Sequence, residues 1–363
     1  MKHNTFQQQQ WRALLANMSG IVELFVSTAG AFLPMFVGMT RGDRHVNRRV
    51  DNKWLHLYEP MSYGSSAALE PNAVVVFVHG GGWIAGSIEE GADAHGDISY
   101  APIGRSLASR GITTALVGYP RCYVPPSVHV VVYAVLAVFA YALAVVLSWI
   151  VLPRWFWHAL SVPCYVVSAY LLRSRALSWN QDPTATFATQ RDVVRQQIRR
   201  VSELYPRAPL VLVGHSAGAH MVALECWDGH APPNVQRVVL LSGPYDLTAL
   251  TTMSPPMSWF VSELLLRPAF RGVDLASVSP LKMLPAADVP RACAWNVVTA
   301  KQDIPLLYAQ AREFYDKLKF HFGAASKVYR IEDVGVGHGA GMVFDNTLWN
   351  TIIHWVNYPS SHH

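Results

Sequence analysis

The chain has 363 residues, enough for one large α/β domain with additions; 51% are apolar and 15% are charged, well under the roughly 25% charged share of soluble domains, which argues against a purely cytosolic enzyme. Its net charge of +5 comes from a local excess at Arg41, Arg44, Arg48, Arg49 and Lys53. No basic face or aromatic RNA-reading motif accompanies that cluster, which argues against a nucleic-acid partner.

Residues 1–52 read as an N-terminal membrane segment followed by a basic linker. The lead MKHNTFQQQQWRALLANMSG is polar and long for a secretory signal, and no isolated small-residue cleavage site follows the apolar run. Residues 20–40, GIVELFVSTAGAFLPMFVGMT, are apolar apart from Glu23, and about 20 such residues cross a bilayer. Glu23 and Pro34 leave an amphipathic interfacial helix as the alternative to a spanning one.

From residue 53 to 363 the pattern is that of one α/β domain. Strands are predicted at 73–78, 112–118, 209–213, 237–242, 294–299 and 326–331, each nearly continuous in apolar residues as in strands buried on both faces. A helix is predicted at 186–204, with Val193, Val194, Gln197, Ile198, Val201 and Leu204 on one stripe; Arg191, Arg195, Arg199 and Arg200 read as its solvated face. This alternation implies a mostly parallel, doubly wound sheet. Cys122, Cys164, Cys226 and Cys293 form no CxxC pair, so no zinc site or disulfide framework is expected, and buried thiols in a reducing compartment are.

Between the second and third of these strands lies an excess of sequence, read as an inserted apolar helical hairpin at 123–180. Tyr123 to Pro153 contain no Asp, Glu, Lys or Arg. As helices, 128–152 would reach about 37 Å and 155–172 about 27 Å, with Pro153-Arg154 as the turn. Tyr123, Trp149, Trp155, Trp157, Tyr170 and Trp179 fall near the ends, where amphipathic rings favour a membrane interface. A helical cap buried over the site is the alternative, though a cap normally keeps a charged outer face. Arg and Lys flank these segments at 41–53 and at Arg173 and Arg175, against Arg154 alone at the tip, which predicts that the α/β domain faces the cytosol with membrane lipid as a partner.

Three motifs carry chemistry. The strand ending at Val78 runs into His79-Gly80-Gly81-Gly82-Trp83, where side-chain-free residues let backbone N–H groups converge on one oxygen. Gly81 and Gly82 are the candidate oxyanion donors, with Ala217 as the third; His79 is read as shaping the loop. Phosphate binding would require GxxxxGK[ST] or GxGxxG, and neither is present. The strand 209–213 leads into Gly214-His215-Ser216-Ala217-Gly218, a G-x-S-x-G elbow in the strand-turn-helix context that presents a serine hydroxyl above a sheet edge. Ser216 is thus the candidate nucleophile. Asp303 follows the strand 294–299 and His338, among glycines, follows 326–331, so the candidates stand in the order Ser, Asp, His of the α/β-hydrolase fold. Asp246, after the strand 237–242, competes for the acid, and His354 is read as core or surface.

Taken together, HGGGWIAG, GHSAGAH and LSGPYDL resemble the isoprenylcysteine alpha-carbonyl methylesterase group of α/β-hydrolases, close to the carboxylesterases and kynurenine formamidases that share the HGGGW loop. The resemblance covers about 55–120 and 180–357. It implies an α/β-hydrolase fold, a triad of Ser216, Asp303 and His338, no metal or organic cofactor, and a membrane-anchored enzyme that hydrolyses prenylcysteine methyl esters, with the endoplasmic reticulum or Golgi membrane as the expected location. The chain departs from the family in placing an apolar hairpin inside the domain. An arylformamidase or a general lipid or xenobiotic carboxylesterase is the enzymatic alternative, and a catalytically inactive membrane scaffold the alternative from another class.

Overall fold

The computed structural model describes residues 46–61, 71–89, 99–122, 185–253, 258, 260–287, 289, 293–299, 303–323, 327–331, 338 and 346–357. The segments 20–40, 128–152 and 155–172 lie outside them; among the described residues no helix is long and apolar enough to cross a membrane.

Eight strands form one sheet: β1 (Val46–Asn52), β2 (Leu55–Pro60), β3 (Val74–Val78), β4 (Thr113–Val117), β5 (Leu210–His215), β6 (Val235–Leu241), β7 (Ala294–Val298) and β8 (Val328–Ile331). Their spatial order is β1-β2-β4-β3-β5-β6-β7-β8. From β4 to β8 the ladders are parallel, whereas β1 and β2 are antiparallel to their neighbours. All six strands expected from the sequence are present. The sheet begins earlier than residue 53, however, because residues 46–52, read as basic linker, form β1. Its Asn47, Arg48, Arg49 and Val50 are exposed. Charged, solvated edges of this kind keep a sheet from pairing with other chains, and they carry no apolar signature.

Alternation along each strand divides the core in two. Val74, Val76, Val78, Leu210, Leu212, Val238, Leu240 and Val297 face one layer, while Val75, Phe77, Val211, Val213, Val239, Leu241 and Val298 face the other. On the second side lie α1 (Ala101–Ala108) and, from the end of the chain, Leu348, Trp349, Ile352, Trp355 and Val356 of the helix Asn346–Asn357. The first side holds α2 (Phe187–Leu204), α3 (Ala217–Trp227) and α4 (Pro305–Phe322); the C-terminal helix is therefore α5. Burial of each large apolar side chain contributes roughly 1.5–3 kcal/mol, so this two-sided arrangement is what makes the central strands read as apolar runs.

Thr186 caps α2 by accepting from the Thr189 N–H at 3.3 Å. Phe187, Gln190, Val194, Gln197, Ile198 and Val201 form its buried stripe. Gln190 reaches furthest: its Nε2 donates to the carbonyls of Trp83 at 2.6 Å and Pro120 at 2.8 Å and lies 3.2 Å from Cys122 Sγ. The arginine face departs from the sequence reading. Arg191 and Arg195 turn inward onto the buried Glu225 of α3, at 2.5 and 2.7 Å, and Arg191 also pairs with Asp228. Only further along does Arg200 lie outward, against Asp51 of β1 at 3.3 Å. Cys122, Cys226 and Cys293 are buried and form no disulfide among the described residues; Cys164 lies outside them.

Candidate active site

The turn at the end of β5 is held in an unusual backbone conformation. Ser216 has φ 52° and ψ −118°, a region costly for a residue with a side chain and sustained only where surrounding structure over-determines it. Three restraints do so: the Ser216 N–H donates to Leu241 of β6 at 2.8 Å, its carbonyl accepts from His220 at 3.0 Å, and α3 is buried along its whole length. The turn also needs a bare backbone at Gly218, where a Cβ would stand 2.2 Å from the carbonyl oxygen of Val78. The G-x-S-x-G pattern is thus a packing requirement between the elbow and the end of β3. The Ser216 hydroxyl caps no helix N–H and is left to other partners.

His338 is that partner. Its Nε2 lies 3.0 Å from Ser216 Oγ, and its Nδ1 lies 2.9 Å from Asp303 Oδ1. A carboxylate accepts, so the proton sits on Nδ1 and Nε2 presents its lone pair to the serine hydroxyl. The His338 side chain is partly exposed while the Asp303 carboxylate is fully buried. Thr299 Oγ1 donates to Asp303 Oδ2 at 3.2 Å and the Ile304 N–H to Oδ1 at 2.7 Å. Burial alone would raise the Asp303 carboxyl, but the hydrogen bond and charge of His338, the Ser242 side chain and the Ile304 N–H together hold it below the usual carboxylate range. A hydroxyl, an imidazole and an oriented carboxylate in this order can move a proton off the serine oxygen.

The structure separates the competing acid from this chain. Asp246 caps the helical turn Leu247–Leu250, accepting from Thr248 N at 3.0 Å and Ala249 N at 3.2 Å, and pairs with Lys282 at 3.1 Å. His354, on α5, is exposed.

The glycine loop lies beside the elbow. Gly81 has φ 121°, outside the range of residues with a Cβ, and its carbonyl accepts from Ile84 and Ala85 in a tight turn. Among the described residues no acceptor takes the N–H groups of Gly81, Gly82 or Ala217. Ala217 opens α3, so its N–H stands at the positive end of a helix dipole. His79 is buried between Tyr119 and Tyr100, with ring centroids 4.2 and 5.5 Å away, and donates from Nδ1 to Gly80 O at 2.6 Å. Burial lowers its pKa to about 4, so it is neutral. This is the loop-shaping place expected for it. The Tyr119 hydroxyl adds bonds to the carbonyls of His79 and Gly80, at 3.1 and 3.2 Å.

Sequence reasoning missed Thr299, Ser242, Tyr119 and Tyr100. Thr299 carried a weak signal, ending the strand four residues before Asp303; the tyrosines carried none. No cluster of three or more His, Cys, Asp or Glu among the described residues is arranged to hold a metal.

The strand order, the parallel ladders and the elbow at the end of β5 define the α/β-hydrolase fold, and solved structures agree. Esterase B from Lactobacillus rhamnosis superposes with a TM-score of 0.54 at 14% identity over 94% of this chain and 95% of that one. An esterase from Rhizomucor miehei does so with a TM-score of 0.52 at 16% identity over 88% and 84%. In sequence, the chain is 32% identical to kynurenine formamidase of Danio rerio over 133 residues, 35% of this chain and 40% of that enzyme. The chain thus aligns with under half the length of this relative. No family model matches the chain.

Proposed function

We propose that the protein is a serine hydrolase of carboxylic esters. The observation that carries this reading is the continuous contact from Ser216 Oγ through the His338 ring to Asp303, at 3.0 and 2.9 Å. In this reading Ser216 attacks the ester carbonyl and His338 takes its proton at Nε2, then returns it to the leaving alkoxide. Asp303 holds the tautomer and stabilises the imidazolium. The N–H groups of Gly81, Gly82 and Ala217 bind the oxyanion, each such donor contributing roughly 2.7–4 kcal/mol to the transition state in enzymes where one has been removed. A fluorophosphonate probe should label the wild type and leave Ser216→Ala unlabelled. Labelling that survives the substitution removes Ser216 as nucleophile, and an unlabelled wild type favours the inactive scaffold.

For the substrate, we infer the methyl ester of a prenylated cysteine. Two features of the sequence support this: the HGGGWIAG and GHSAGAH motifs, and the apolar segments 20–40, 128–152 and 155–172, which suit an enzyme held at an endomembrane with its site on the cytosolic side. A prenyl chain partitions into lipid, so anchoring raises the effective substrate concentration. The likeness to kynurenine formamidase favours a second reading, hydrolysis of an aryl formamide. Turnover of a prenylcysteine methyl ester, N-formylkynurenine and p-nitrophenyl esters in parallel separates the two. Topology is tested by glycosylation acceptors in microsomes: one at Arg154 should be modified and one within 230–236 should not.

A further inference from the structure

His215, the last residue of β5, stands beside the nucleophile yet has no part in the proton path. It is 4% exposed. Its Nε2 lies 2.9 Å from the main-chain carbonyl oxygen of His338. A carbonyl only accepts, so Nε2 carries the proton. Burial, reinforced by the charge of His338, lowers the ring's pKa to about 3, which keeps it neutral and leaves Nδ1 as an acceptor. The Tyr100 hydroxyl meets that nitrogen at 3.3 Å. Tyr100 in turn hydrogen-bonds the backbone of Gly80. Gly80 packs on the same histidine ring: a Cβ there would stand 2.6 Å from His215 Nδ1 and 3.1 Å from Ser216 Cβ. One buried ring therefore touches the glycine loop, the strand that ends in the nucleophile, and the main chain of the base.

We propose that His215 is a positioning residue that fixes the place of His338 relative to Ser216, with Tyr100 holding the His215 ring in the orientation this requires. The proposal rests on the serine-hydrolase reading. Asp303 sets the direction of the His338 ring but holds only its Nδ1 end. The Nε2 end meets Ser216 correctly only if the Cα from which the ring hangs is also fixed, and the His215 bond fixes the adjoining carbonyl. Because His215 and Ser216 are consecutive, nucleophile and base are referenced to the same strand end. A displacement of about 1 Å between reacting groups costs on the order of 100-fold in rate, so a bond that governs this distance is visible in kcat.

Two substitutions separate the contacts of the ring. In His215→Gln the terminal amide reaches about as far as Nε2 and restores a donor to the His338 carbonyl; in His215→Asn it stops near the Nδ1 position and does not. The measurements are kcat and KM on a p-nitrophenyl ester, the rate of fluorophosphonate labelling, and thermal unfolding. His215→Asn should lose about 10- to 100-fold in kcat with KM changed less than about twofold, and His215→Gln should recover most of the loss. Tyr100→Phe should lower kcat by roughly 3- to 10-fold and add little to His215→Asn in the double variant. The proposal is overturned if His215→Asn keeps wild-type kcat, or if His215→Gln is as impaired as His215→Asn. Should His215→Asn fail to fold, an unchanged kcat in Tyr100→Phe overturns it instead. Failure of the underlying reading looks different: the wild type is then unlabelled, or Ser216→Ala is still labelled.

Discussion

Gln310 of α4 closes both ends of its amide on the backbone of Asp246, Oε1 accepting the N–H at 3.0 Å and Nε2 donating to the carbonyl at 2.8 Å. With its main chain clamped and its carboxylate spent on a helical turn and Lys282, Asp246 is a structural residue. Asp246→Asn is therefore expected to keep kcat within about threefold of wild type, and Asp246→Ala to cost about 1 kcal/mol as a lost helix cap. Asp303→Asn removes the acceptor that sets the His338 tautomer, and kcat should drop by about 10⁴. Ester turnover by the two Asn variants decides the matter, and a larger loss in Asp246→Asn than in Asp303→Asn would reverse the assignment.

Glu225 is 1% exposed and is held by Arg191 and by two nitrogens of Arg195, at 2.7 and 3.2 Å. Removing one partner of a buried ion pair strands the other's charge, so Glu225→Ala should destabilise the protein by about 3–5 kcal/mol in urea or guanidinium unfolding. The network lies on α2 and α3 away from Ser216, so kcat measured well below the unfolding range should stay near wild type.

Acid should destabilise the fold through its buried imidazoles. Burial lowers His79 and His220 to about 4 and His215 to about 3. In the unfolded chain each takes up a proton below about pH 6.5, while in the folded protein it does not. Their contribution is thus fully present above pH 6.5 and is lost as pH falls from there toward 4, with a limiting slope of about 1.4 kcal/mol per unit for each histidine. Asp303 acts lower down: its depressed pKa adds stability that is complete above about pH 4 and is lost as pH falls through its folded value. Unfolding free energies at pH 8, 6 and 5 should fall steeply, and His220→Phe should be less stable at pH 8 but show a shallower slope. Equal slopes in the two proteins would contradict the buried neutral state of His220.

Gly218→Ala should abolish probe labelling. Its methyl group would collide with the Val78 carbonyl, forcing the elbow off β3 at an overpacking cost of roughly 1–3 kcal/mol. A folded variant with wild-type labelling would show that the elbow tolerates a wider approach than the packing implies.

How far the sequence could be read followed from burial. β3 to β8 were legible because both faces of a central parallel strand are covered, and that leaves near-continuous Val, Leu and Ile in the chain. β1 was not, since an edge strand bearing Arg48 and Arg49 looks like a charged linker. Ser216, Asp303 and His338 stood out because each follows a readable strand. Their supporting partners did not: what Gln310, Tyr100 and His215 do depends on residues 64, 20 and 123 positions away, and no local pattern records such pairings. Arg191 and Arg195 sit at helix positions that normally face water, and the carboxylates of Glu225 and, for Arg191, Asp228 draw them in.

Gln190 joins three stretches of chain that are far apart in sequence. From the first turn of α2 it bonds the carbonyls of Pro120, just after β4, and of Trp83 in the glycine loop. One amide therefore ties α2 to the chain that follows β4 and to the loop beside Ser216. In engineering terms the amide is a tie rod: a shift of α2 is passed directly to the loop beside Ser216.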